Sequence, residues 1–146
     1  MRLDGDRKES TMAVAIRLRD AMNAHDLEAF LDCFHADYQS EQPVHPGRGF
    51  GGREQVRTNW STIFRGVPDF TAELLGHCQD NGREWSEWRW TGTRVDGSVL
   101  DLAGVIVAGV RDGRIDWGRL YIEPVEAADE GIDAAVGKMA GKRSDT

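Results

Sequence analysis

Apolar positions change their period twice along this chain. From Thr11 to Asn23, Val14, Leu18, Ala21 and Met22 fall at i, i+4, i+7 and i+8, the spacing of one helix face. A second helix is predicted behind Asp26 as N-cap, where Leu27, Phe30, Leu31 and Phe34 repeat at i, i+3, i+4 and i+7. The short break Asn23-Ala24-His25 makes the two an αα-hairpin. A polar extended piece, Tyr38 to Gln42, is stopped by Pro43 and Pro46. After the glycine-rich stretch Gly47 to Gly52, a third helix carries the stripe Val56, Trp60, Ile63, Phe64 and ends near Gly66 and Pro68.

From Phe70 the period becomes two. Phe70, Ala72 and Leu74 alternate with Thr71 and Glu73, and Asn81-Gly82 is a strong hairpin signal. A tryptophan-rich strand follows from Arg83 to Thr91. Asp96-Gly97 and Asp112-Gly113 set off two more strands, Val99 to Val110 and Arg114 to Glu123. Helices first and a four-strand antiparallel meander afterwards predict an α+β fold. The strand through Leu102 to Val110 is apolar on both parities: Leu102, Ile106 and Ala108 face one way, Val105 and Val107 the other. An antiparallel strand with one wet face alternates, so both faces of this one are expected to be covered. Helices account for one face, and a second copy of the chain is expected on the other. Beyond Pro124, Val125, Ala128, Ile132 and Val136 have helical spacing, but glycines interrupt them. Residues 1–10 and 125–146 are read as flexible termini around one domain, 11–124.

Composition narrows the class. The 146 residues are 40% hydrophobic, enough for one core, and carry a net charge of −7. That charge argues against nucleic acid or an anionic membrane as partner. No apolar run approaches the roughly 18–20 residues of a membrane span. The charged start, Met1 to Lys8, lacks the apolar region of a signal peptide. Cys33 and Cys78 lie far apart without ligand spacing, which fits free thiols in a cytoplasmic protein.

Gly47-Arg-Gly49-Phe-Gly51-Gly52 matches the dinucleotide-binding pattern GxGxxG, with Asp69 downstream. The segment before it is polar and broken by prolines, and hairpins rather than βαβ units follow. It is read as a turn into helix three, and no cofactor is expected.

The stretches His25 to Asp37, Glu41-Gln42-Pro43, Gly52 to Val56, Gly104-Val105, Asp112 to Ile115 and Arg119-Leu120-Tyr121 resemble the nuclear transport factor 2-like superfamily. They are most similar to its SnoaL-like branch of polyketide cyclases, ketosteroid isomerases and limonene-epoxide hydrolases. The resemblance implies a cone-shaped α+β barrel, a curved, mostly antiparallel sheet wrapped around the N-terminal helices to enclose an apolar pocket. It also shows losses. Gln42 stands where the isomerases keep a general-base aspartate, and an amide takes no proton at neutral pH. Leu18 and Ile106 fall on the isomerases' oxyanion donors. Trp88, Trp90 and Leu120 fall on the epoxide hydrolases' aspartate–arginine–aspartate set. For the cyclase carboxylate, Asp116 and Glu123 are nearby, on the wrong strand parity.

With Gln42 in the pocket, parity brings Ser40 and Tyr38 with it, and faces Ser86, Trp88, Leu102, Ile106 and Leu120 inward beside Trp60. Tyr38, Gln42 and the loop residue His45 are the catalytic candidates; the others are candidate substrate contacts. Such a cavity suits a small hydrophobic molecule with a carbonyl, hydroxyl or epoxide. His35, expected at a helix end, and His77 on a strand are set aside as acid or base, and a metal site from Glu41 and His45 would need a third ligand, His35 or Asp37, that no spacing supports. Glu87 is expected on the opposite face, pairing Arg89 or Arg119 near Trp85, Trp117 and Tyr121 at a homodimer surface. Three readings follow: a cyclase, isomerase or hydrolase; a binding module without catalysis; and an assembly module working through its outer sheet.

Overall fold

The computed structural model describes residues 12–127 and 130–142. Two helices come first, α1 (Val14–Ala24) and α2 (Leu27–Leu31). Then come β1 (Phe34–Glu41), a 3-10 turn (Pro46–Arg48), the short β2 (Phe50–Gly51) and α3 (Arg53–Gly66). Four long strands follow: β3 (Thr71–Asp80), β4 (Arg83–Thr93), β5 (Val99–Arg111) and β6 (Arg114–Pro124). The stretch expected to be flexible contains a last helix, α4 (Ile132–Met139), whose Ile132, Val136 and Met139 are exposed.

The meander is part of a six-stranded sheet ordered β2-β1-β6-β5-β4-β3. Its neighbours are antiparallel except β1 and β6, which run parallel with Ser40 opposite Gly118. Phe34 and His35 therefore open a strand instead of closing a helix. Asp26 does cap α2, accepting from the Ala29 N–H at 3.1 Å, but the helix turns out at Asp32. The tight turns are where the sequence puts them: Asn81 and Gly82 have φ of 55° and 79°, Asp112 and Gly113 of 56° and 73°. Both central residues in the left-handed region match the twist of a hairpin. Register shifts at Leu74/Gly76, Gly109/Val110 and Phe34/Gln39 are the irregularities that let a sheet of long strands curl.

Helices α1 to α3 fill the concave side. Trp60 is the hub of the core, its ring 4.7 Å from Phe30, 5.5 Å from Phe70 and 5.4 Å from Trp90 between centroids. The break between α1 and α2 is fastened to the sheet: Asn23 exchanges two hydrogen bonds with the Ala72 backbone, and His25 Nε2 lies 2.9 Å from the Phe70 carbonyl. The start of α1 is held from β4. Its N-cap, Ala13, has no side-chain oxygen, so the buried Glu84 carboxylate accepts from the Val14 and Ala15 N–H groups at 3.1 and 2.6 Å. The glycine-rich stretch makes the 3-10 turn, β2 against β1, and at Gly52 (φ 96°) the entry to α3. No helix among the described residues is long and apolar enough to cross a membrane.

Candidate functional site

A cavity of about 190 Å³ opens between the helices and the concave sheet. Strand alternation brings Tyr38, Ser40 and Gln42 to its wall from β1 and the residue after it, as the parity of that segment predicts. Ile106 comes from β5, Leu120 from β6 and Trp60 from α3. These six expected residues share one cavity. Gly118 is opposite Ser40, and a side chain there would press on the Tyr38 hydroxyl, so its hydrogen leaves that hydroxyl room. Burial pushes the Tyr38 phenol above 10.0, partly offset by a hydrogen bond with Ser40. At neutral pH Tyr38 is therefore a donor, not a base.

Four expected residues lie elsewhere. Ser86 and Trp88 are on the inner face but buried away from the cavity, where Trp88 Nε1 donates to Ser86 Oγ at 2.8 Å. Leu102 lines a separate pocket with Arg94 and Pro124. His45 turns away from the cavity, its Nε2 2.6 Å from Glu123 Oε1 on β6. On the outer face, Arg89 is paired with Asp101 at 2.6 Å, not with Glu87. This pairing holds the Asp101 carboxyl below its ordinary range. Arg119 lies over the Trp117 ring, 4.8 Å from its centroid.

Two polar lining residues were not among the expected contacts. Asn59 falls between Val56 and Trp60 on the α3 stripe, so a polar residue within a helical apolar pattern was the available signal. Trp90 shares its parity with Trp88. Its ring borders the cavity, and its Nε1 is buried with no hydrogen-bond partner among the described residues. Among the described residues, no charged side chain lines the cavity. The wall can therefore donate and accept hydrogen bonds and hold an apolar body, but it offers no carboxylate or imidazole for proton transfer.

The family profile of the SnoaL-like domain matches residues 15–117. The chain belongs to the SnoaL-like family. No curated protein matches it. Among solved structures it is similar to Bal32a from a soil-derived mobile gene cassette, with 26% identity, a TM-score of 0.64, and coverage of 75% of this chain and 86% of that one. IdmH of Streptomyces antibioticus, a candidate polyketide cyclase, aligns at 21% identity and a TM-score of 0.65, covering 75% and 89%. RV0760c of Mycobacterium tuberculosis, solved with estradiol-17beta-hemisuccinate, aligns at 19% and 0.64, covering 74% and 89%. These likenesses place the SnoaL-like chain in the cone-shaped α+β fold.

Proposed function

We propose that this SnoaL-like protein binds a neutral, largely apolar small molecule bearing a carbonyl oxygen, and promotes its cyclisation or isomerisation by positioning and hydrogen-bond polarisation. The observation that carries this reading is the cavity wall itself: aromatic and aliphatic, with the neutral polar side chains of Tyr38, Ser40, Gln42 and Asn59 among them. Tyr38 donates to the substrate oxygen and Ser40 holds the phenol, while Trp60, Ile106 and Leu120 fold the apolar body. Without a base in the wall, the substrate must supply its own acidity. In an intramolecular aldol closure, the enol carbon of one carbonyl bonds to the carbon of the second. The enol proton passes to the second carbonyl's oxygen, whose developing charge Tyr38 stabilises.

The same lack of charge supports a second reading, a pocket that binds without turnover. Incubation with bicyclic and tricyclic ketones, followed by mass spectrometry of bound and released species, separates the two. Product that disappears in Tyr38→Phe supports catalysis, and bound but unchanged ketone supports the binding module. Absence of binding removes both.

Two copies are proposed to pair through the outer sheet face. Val105 and Val107 on β5 point there between Trp85 on β4 and Tyr121 on β6. The buried Arg119 Nε on this face has no acceptor among the described residues. Apolar strands flanked by aromatics and arginine have the make-up of a protein interface. A cytoplasmic site of action goes with this reading, from the free, unpaired thiols of Cys33 and Cys78.

A further inference from the structure

We propose that Arg48, outside the cavity, sets the polarity of the Gln42 amide so that Gln42 donates to the ligand, selecting a ketone over the corresponding alcohol. The inference rests on the reading that the cavity takes a small neutral molecule, and it names which hydrogen-bonding character that molecule has.

Gln42 follows the last residue of β1 and is half-buried at the cavity wall. Its Oε1 accepts from Arg48 Nη1 at 3.1 Å. A guanidinium has donors only, so the amide end that meets it is the oxygen. The NH2 end, without a partner among the described residues, is left for the cavity. Arg48 is kept in place by its loop. The His45 N–H donates to the Gln42 carbonyl at 2.7 Å and the Arg48 N–H to the His45 carbonyl at 2.9 Å. His45 in turn is fastened to Glu123 on β6. The residue expected to move protons thus acts as an anchor for the loop that orients Gln42.

The rest of the wall has the same bias. Asn59 Oδ1 accepts from Gln55 Nε2 at 2.8 Å, which commits its oxygen and leaves its NH2. Tyr38 is held protonated. Ligand acceptors therefore find several donors, whereas a ligand O–H must compete for the lone pairs of two hydroxyls. Loss of one net hydrogen bond in that competition costs about a factor of ten in affinity.

The test is calorimetric binding of a naphthyl methyl ketone and its secondary alcohol to the full chain. Wild type is expected to prefer the ketone about tenfold. Arg48→Lys keeps a donor-only partner and keeps the preference. Arg48→Glu places a carboxylate against Gln42, which attracts the NH2, turns the oxygen inward and removes or reverses the preference. Arg48 is an exposed loop residue, so neither change disturbs the core. An unchanged ketone-to-alcohol ratio in Arg48→Glu overturns the inference while leaving the pocket reading intact. Failure of both probes to bind wild type removes that reading and the inference together.

Discussion

Replacing Glu84 by leucine should loosen the helical layer from the sheet, and the structure sets the size of the effect. Glu84 is 3% exposed and receives two backbone N–H groups at the start of α1 and the Gln79 amide at 3.0 Å. Val14 and Ala15 are each 2% exposed, so their N–H groups cannot turn to water when the carboxylate goes. Each orphaned buried donor costs about 1–3 kcal/mol. Loss of a negative charge at a helix N-terminus adds roughly 0.3–1 kcal/mol. Relief of a buried carboxylate works in the opposite direction and can favour an apolar replacement. It does not win here, because the donors are backbone groups and stay behind. The net expectation is about 2–4 kcal/mol of lost stability, or roughly 6–14 °C in Tm for a chain of this size. Glu84→Gln retains one acceptor and should lose about half as much. Urea unfolding gives the free energies, and hydrogen exchange at Val14 and Ala15 reports the site directly. A Glu84→Leu protein within about 0.5 kcal/mol of wild type, or unaltered exchange at those two amides, would refute the reasoning.

Three further outcomes are expected. Burial raises the Cys33 thiol from 9.0 to about 11, so the folded chain keeps a proton that the unfolded chain loses. Stability from this group is complete below pH 9 and falls by about 2–3 kcal/mol as pH rises through 11, and Cys33→Ala should flatten that part of an alkaline unfolding series. A side chain at Gly109 would overlap the Trp117 indole that lies against it between Arg83 and Arg119. Gly109→Ala should therefore cost about 1–3 kcal/mol and change the near-ultraviolet circular dichroism; an unaltered spectrum and Tm would contradict the packing. Val107→Glu on the outer face should convert the proposed dimer to a monomer in light scattering, and a wild type that is already monomeric counts against that interface.

Local rules made much of this protein readable from its residues. Helical spacing in α1 and α3, the Asp26 cap, and the Asn-Gly and Asp-Gly turns depend on neighbours a few positions away, so one chain suffices to see them. Strand parity is equally local, and it puts Tyr38, Ser40 and Gln42 on one wall. Parity tells which face a residue takes, not how far along a curling sheet it sits. Ser86 and Leu102 share the inner face with the cavity residues but lie beyond it, while Trp90 borders it and Trp88 is sealed behind. The parallel pairing of β1 with β6 was illegible because Phe34 continues a helical pattern as well as it starts a strand. Only the arrival of a partner strand some eighty residues later decides between them. Glu84 capping α1 and His45 meeting Glu123 are decided in the same way. Tertiary structure alone brings such distant groups together, because the energy that selects each pairing exists only once both elements are in place.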